Sequence, residues 1–139
     1  MKQFGDKTPG KEYRDRPGAY ALILRDDGLI AAVEEKSGDR LHLPGGGIDE
    51  GESEEEALKR EVQEEMSREV ERCEFVGEAA QYTDASLHGD VNKLCSYFRA
   101  ELVPGPDGEG DRVTRWVTPE EFVKRARHEA HVWAVQTFL

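Results

Sequence analysis

The sequence predicts an α/β protein in which helices sandwich a mixed β-sheet. Apolar runs of strand length lie on both sides of one long charged helix. Turn-forming residues punctuate those runs, and a second helical stretch closes the chain. At 139 residues a single domain is expected.

The elements follow in order. Residues 1 to 16 are polar and read as an N-terminal extension, with the folded domain expected over 17 to 139. Tyr20, Leu22, Ile23 and Leu24 suit a buried strand. Asp26-Asp27-Gly28 is a hairpin turn signal, and 29 to 35 is the returning strand. Lys36 to Asp39 makes a further turn, 40 to 43 a short strand, and Pro44-Gly45-Gly46-Gly47 a glycine turn. Ser53 is a good N-cap, and Glu56 three residues on completes a capping box. Leu58, Val62 and Met66 form the apolar stripe that holds this helix to a sheet. Residues 70 to 82 and 93 to 103 read as two long strands joined by a loop over 83 to 92. A Gly/Pro-rich loop covers 104 to 110, and 112 to 117 alternates as a strand. Thr118 and Pro119 mark a helix start, after which one helix or two short ones finish the chain.

Composition narrows the function classes. Hydrophobic residues make up 37% and charged residues 35%, with a net charge of −11 and a pI near 4.8. That balance argues against nonspecific binding to a nucleic-acid backbone or an anionic membrane. It leaves room for a small phosphorylated substrate, because bound divalent cations reverse the local field. The longest apolar run, Ala19 to Leu24, is too short to span a membrane. The N-terminus lacks an apolar signal region, so a cytoplasmic protein is the expectation. Cys73 and Cys95 form no CxxC pattern and read as two buried free thiols, with a disulfide or redox role as the alternative.

The helix carries the chemistry. Glu54, Glu55 and Glu56 lie in its first turn, where the helix dipole favours negative charge. Glu61, Glu64 and Glu65 lie in its second half, where the dipole disfavours them. Their i, i+3, i+4 spacing stacks three carboxylates on one side, at a cost of a few tenths of a kcal/mol per pair. A hard divalent cation with oxygen ligands would compensate, Mg²⁺ first and Mn²⁺ as a substitute. Arg60 sits beside the cluster, where it can orient a carboxylate or touch phosphate. Orientation is favoured, since an arginine adjacent to Glu61 is expected to point away from the triplet's centre.

Gly46, five residues, Glu52, seven residues, then Arg60-Glu61-Val62-Gln63-Glu64-Glu65 resembles the Nudix box, G-x5-E-x7-R-E-U-x-E-E-x-G-U with U a bulky aliphatic. The surrounding order of elements is also similar over residues 17 to 139. The resemblance implies the Nudix α/β/α sandwich with a mixed β-sheet. It implies metal ligation by Glu61, Glu64 and Glu65 with the Gly46 carbonyl, Glu61 or Glu64 as general base, Arg60 as the orienting residue and Glu52 in support. A further carboxylate from a loop outside the box is expected, ranked Glu109 and Asp111, then Asp90, then Glu129. Two positions depart from the signature: Ser67 replaces its glycine and Arg68 its aliphatic residue. Ser67 would occupy a left-handed helix end at a cost of about 1 kcal/mol, and Val70 would replace the lost apolar anchor.

Other residues keep two readings. His128 and His131 either pack the last helix or, with Trp133, wall a substrate pocket. Their spacing is i+3, unlike the HExxH zinc motif. Trp116 and Trp133 are core residues or stack on a base. Tyr82 and Tyr97 suit strand packing, and His42 faces either pocket or solvent.

The expected activity is Mg²⁺-dependent hydrolysis of a pyrophosphate bond in a nucleoside diphosphate linked to X. A MutT-like nucleoside triphosphate pyrophosphohydrolase, including one acting on oxidised purine nucleotides, is the favoured subclass. The alternative is a non-catalytic Nudix-fold module that senses a nucleotide. A simple Ca²⁺-binding protein is disfavoured, because the D-x-[DN]-x-[DN]-G loop is missing. The expected partner is a small phosphorylated substrate rather than a nucleic-acid polymer or a membrane. The family resemblance leaves homodimerisation open.

Overall fold

The N-terminal tract is wired into the sheet. In the computed structural model, which describes residues 1–139, β1 (Lys2–Phe4) pairs parallel with β6 (Val70–Ser86). The next strand, β2 (Arg14–Leu22), begins before Pro17 and runs parallel to β7 (Gly89–Leu102). Side chains tie the segment between β1 and β2 to the far end of the β6–β7 hairpin. Tyr13 donates its hydroxyl to Asp84, and Lys11 pairs with Asp84 and Asp90.

β2, β6 and β7 belong to a five-stranded mixed sheet in the order β1-β6-β7-β2-β5, with β5 (Gly45–Gly47) at one edge. A second, three-stranded sheet is ordered β4-β3-β8, from Leu41–His42, Ile30–Glu34 and Thr114–Val117. The turn at Asp26-Asp27-Gly28 reverses the chain as expected, with the Arg25 amide donating to the Leu29 carbonyl at 2.8 Å.

Two expectations need correction. The Pro-Gly-Gly-Gly run is an edge strand, since Gly45, Gly46 and Gly47 pair antiparallel with Tyr20, Ala19 and Gly18. Gly45 allows the approach, because a Cβ there would lie 2.2 Å from the Ala19 carbonyl oxygen. The loop expected over 83 to 92 is the end of a continuous hairpin, closed where Ser86 pairs with Gly89. A register shift between Thr83 and Ser86 absorbs the turn-forming residues, and Asp90 accepts from the Ala85 amide.

Helix α1 (Glu54–Met66) starts at the expected capping box: Ser53 Oγ accepts from the Glu56 amide and Glu56 from the Ser53 amide. It ends at Ser67, in the left-handed region with φ 53° and ψ 40°. Leu58, Val62 and Met66 are fully buried, each contributing about 1.5–3 kcal/mol. They pack on Ala19, Ala21, Ile23, Phe98 and Ala100, and Val70 joins the same cluster. On the opposite face, Tyr20, Leu22, Cys95 and Tyr97 pack with Phe122, Ala130 and Ala134. Odd residues of β2 therefore face α1, and even ones face α2 (Pro119–Arg125) and α3 (Glu129–Phe138).

The C-terminal stretch is two helices. Ala126 is extended and bridges to Leu41, which brings His128 close to His42. Both cysteines are free thiols, but only Cys95 is buried, and Cys73 is half-buried. No helix is long and apolar enough to cross a membrane.

Candidate active site

Arg60 organises the acid side of the site. Its Nε and Nη2 donate to the two oxygens of Glu52 at 2.7 and 2.9 Å. Nη2 also reaches the Gly47 carbonyl at 3.0 Å. Nη1 donates to Glu61 at 3.0 Å and to Glu64 at 3.3 Å. The sequence expectation that Arg60 points away from the triplet is therefore corrected: its side chain curls back over two of the three glutamates. Glu52 also accepts from the Asp49 amide. The Arg60 bond and that amide hold its carboxyl at about 2.

Glu65 sits differently. It is buried, and its Oε1 accepts from the Gly45 amide at 2.8 Å. Burial, against the pull of that amide, pushes its carboxyl up to about 8. Burial also raises Glu61, opposed by Arg60. The three glutamates are not preassembled as a metal cage, because Arg60 holds Glu61 and Glu64 while β5 holds Glu65.

The bare strand β5 explains how these groups come so close. A Cβ at Gly46 would lie 2.7 Å from the Glu61 carboxyl carbon. A Cβ at Gly47 would lie 2.5 Å from Arg16 Nη2. Successive residues of a strand face opposite ways, so Glu61 meets one face of β5 and Arg16 the other.

Arg16 has a neighbour in register, Lys93 on β7. Arg25, Arg60, Arg68, Arg72, Arg115, Arg125 and Arg127 all pair with acids. Arg16 and Lys93 are not among the paired cations. Lys93 Nζ lies 3.2 Å from His128 Nε2, and burial lowers its pKa. Arg16 and Lys93 thus stand without carboxylate partners on the sheet face opposite the glutamate helix.

The remaining expected residues divide. Glu109 and Asp111 lie in the loop against the C-terminus of α1: the Asp111 amide donates to the Glu64 carbonyl at 2.8 Å, and the Glu109 carbonyl accepts from Ser67 Oγ at 2.6 Å. Asp90 is engaged in the β6–β7 hairpin instead, and Glu129 opens α3. His128 touches Lys93 beside Arg16. His131 is a correction to the pocket-wall reading: it is 0% exposed, with Nδ1 bonded to the Tyr97 hydroxyl at 2.8 Å and its ring against Tyr20. Trp133 is half-buried and packs on Phe4, Tyr97 and Phe138. His42 is half-buried, bonded to Glu35 at 2.9 Å and edge-on to His128.

Sequence reasoning missed Arg16, Lys93 and Glu35. The one usable signal was a lysine opening an otherwise apolar strand, KLCSYF. Only the sheet register places it beside Arg16.

The NUDIX domain model matches residues 14–136. The chain belongs to the Nudix family, whose members hydrolyse pyrophosphate bonds and generally use divalent metal ions. Its fold is similar to a MutT Nudix hydrolase from Burkholderia pseudomallei, with TM-score 0.69 and 23% identity over 91% of this chain and 99% of that one. A Nudix hydrolase from Nitrosomonas europaea gives TM-score 0.73 and 22% identity over 88% and 87% of the two chains. An RNA pyrophosphohydrolase of Cereibacter sphaeroides is 36% identical over 74 residues, covering 52% of this chain and 46% of that relative. The match therefore spans less than half of the relative's length.

Proposed function

We propose that this protein is a Mg²⁺-dependent pyrophosphohydrolase acting on a nucleoside diphosphate linked to X, with nucleoside triphosphates, oxidised purine nucleotides included, as the favoured substrates. The observation that carries this reading is the opposition across β5: Glu61 meets one face, and Arg16, with Lys93 beside it on β7, meets the other. A polyphosphate chain lying along this edge has metal-ligating oxygens on one side and positive charge on the other.

The donor set fits a hard divalent cation. Glu61, Glu64, Glu65 and the Gly46 carbonyl offer oxygen alone, the chemistry such ions take. Glu65 is a buried carboxyl that retains its proton to about 8, so a cation at its side would relieve the cost of ionising it. When bound, Mg²⁺ (or Mn²⁺) supplies neutralisation of phosphate charge and acidification of water. The protein's own residues do the rest. Arg60 sets the orientation of Glu61 and Glu64, and Glu52 fixes Arg60. Glu61 or Glu64 accepts the proton from the attacking water. Arg16 and Lys93 hold phosphate oxygens, and His128 orients Lys93. Glu109 and Asp111 supply further carboxylate from the adjoining loop. Water adds to phosphorus, the P–O–P bond breaks, and nucleoside monophosphate leaves together with phosphorylated X, which is pyrophosphate when the substrate is a nucleoside triphosphate.

A second reading is favoured by one comparison: the relative from Cereibacter sphaeroides acts on RNA, so a 5′-triphosphate RNA end is a candidate substrate. The net charge of −11 weighs against it, since an RNA body would be repelled. The test is a panel of nucleoside triphosphates, nucleoside diphosphate conjugates and a 5′-triphosphorylated oligoribonucleotide with Mg²⁺, read as the monophosphate product together with pyrophosphate or phosphorylated X. Turnover of free nucleotides supports the first reading, and turnover of the oligonucleotide alone the second. Tight calorimetric binding without product would make the protein a sensor module. No turnover of any pyrophosphate compound overturns the hydrolase reading.

A further inference from the structure

One row of residues crosses four strands on the face that carries α3. Phe4 of β1 is in register with Gln81 of β6, Gln81 with Lys93 of β7, and Lys93 with Arg16 of β2. Gln81 is the buried polar member of the row, 6% exposed. Its Oε1 accepts from the Ala130 amide at 3.0 Å, and its Nε2 donates to the Tyr82 carbonyl at 3.3 Å. Gly5, just past β1, closes against the same group: a Cβ there would lie 2.9 Å from Gln81 Nε2. The carboxamide is therefore held at both ends.

That bond does the work of a helix cap. His128 occupies the N-cap position of α3, yet its side chain makes no capping hydrogen bond. An N-cap side chain ordinarily accepts from the second or third amide of its helix. Here the third, of His131, returns to the His128 carbonyl at 3.1 Å. The second, of Ala130, goes to Gln81, 49 positions away in the chain. The His128 ring is thereby released from its own helix, and its Nε2 lies 3.2 Å from Lys93 Nζ. The ammonium has only protons to offer, so Nε2 is the acceptor and the neutral ring carries its proton on Nδ1.

The choice of an amide is informative. A glutamate at this position would also accept from Ala130, and its charge would suit a helix N-terminus. It would, however, stand directly across the ladder from Lys93, where paired side chains start about 4.5–5.5 Å apart, and would neutralise it. We infer that Gln81 is a positioning residue of the phosphate site: it caps α3 in place of His128, so that His128 holds Lys93, and being neutral it leaves the Lys93 charge for phosphate. The inference rests on the reading that Lys93 holds phosphate oxygens.

Two substitutions separate the cap from the charge. Gln81→Glu keeps an acceptor for Ala130 and adds a carboxylate beside Lys93, whereas Gln81→Leu keeps apolar bulk and removes the acceptor. Each is compared with the wild type by thermal melting, amide hydrogen exchange, steady-state hydrolysis of a nucleoside triphosphate and NMR titration of Lys93. For Gln81→Glu the expected result is wild-type melting, slow exchange at the Ala130 amide and unchanged kcat. Its KM rises about tenfold or more, as for a lost charged contact to phosphate, and Lys93 titrates at higher pH. For Gln81→Leu, exchange at Ala130 quickens, and KM rises by several-fold as His128 loosens its hold on Lys93. A residue that only packed β1 against α3 would leave KM and the Lys93 titration unmoved in the stable glutamate variant. That outcome overturns the role of its neutrality. Slow Ala130 exchange or wild-type KM in Gln81→Leu overturns the role of its cap. If the wild type hydrolyses nothing, the failure lies in the functional reading, and exchange with the Lys93 titration still decides what Gln81 does.

Discussion

Two groups of ionisable side chains flank the edge strand β5, and they are built on opposite principles. On the α1 side, Glu52, Glu61 and Glu64 converge on one arginine, while Glu65 stands apart on the Gly45 amide. On the α3 side, His42, His128 and His131 lie within 6.2 Å of one another by ring centroid. There the partners are one each: Glu35 for His42, Lys93 for His128 and Tyr97 for His131. Burial keeps His128 neutral, down to about 2, and lowers His131 well below the usual histidine range. The acid group shares one arginine, and on the proposed reading it carries the chemistry. The imidazole group is closed and neutral, so it is suited to holding Lys93 and the last helix in place.

That division predicts effects of different size and kind. The largest belongs to the acid side. Glu64→Gln should lower kcat by at least about 10²-fold, the scale of lost general-base catalysis, with KM little changed. Steady-state kinetics checks it, and near-normal turnover would mean the ligand and base assignments are wrong. The middle effect belongs to the cation side of β5. Arg16→Gln removes a charged donor to phosphate, worth about 1.5–3 kcal/mol, so KM should rise by about tenfold or more while kcat holds. A fall in kcat alone would place Arg16 in the chemistry instead.

The third effect leaves turnover aside: it is on stability, and it comes from the histidines. An unfolded chain protonates His131 below about 6.5, whereas the folded protein keeps it neutral. The unfolded state then binds more protons, so stability falls as pH drops below 6.5, by about 1.4 kcal/mol per pH unit for each such group. In His131→Phe, the stability lost between pH 7 and pH 5 should shrink by about 2 kcal/mol, read by denaturant unfolding. An unchanged pH slope would show that His131 takes up its proton in the folded state.

The acid side was legible because its groups are local. One helical turn, one capping box and one spaced glycine put Glu61, Glu64, Glu65, Ser53 and Gly46 within a short stretch of sequence. The histidine and lysine side was not legible, because β2, β4, β7 and α3 meet there only after the sheet has chosen its order. Lys93 touches His128 across 35 positions, and no periodicity announces that. His131 was open to a pocket reading for the same reason: helical spacing cannot tell a buried face from a wetted one. The glycine run reads as a turn in sequence because glycine marks both turns and close approach. Here close approach decides, since Glu61 and Arg16 occupy the space that side chains at 46 and 47 would fill. The capping box and the apolar stripe follow from rules internal to one helix, whereas the left-handed end at Ser67 follows from the glycine that the family signature places there.

The central claim is that the two faces of β5 divide the work, with carboxylates doing the chemistry and cations holding the phosphate. Side-by-side steady-state hydrolysis of one nucleoside triphosphate by wild type, Glu64→Gln and Arg16→Gln tests it most directly. The predicted result is pyrophosphate release by the wild type, a collapse of kcat in Glu64→Gln and a rise of KM in Arg16→Gln. Glu64→Gln turning over like wild type, or both variants moving the same kinetic parameter, would contradict it.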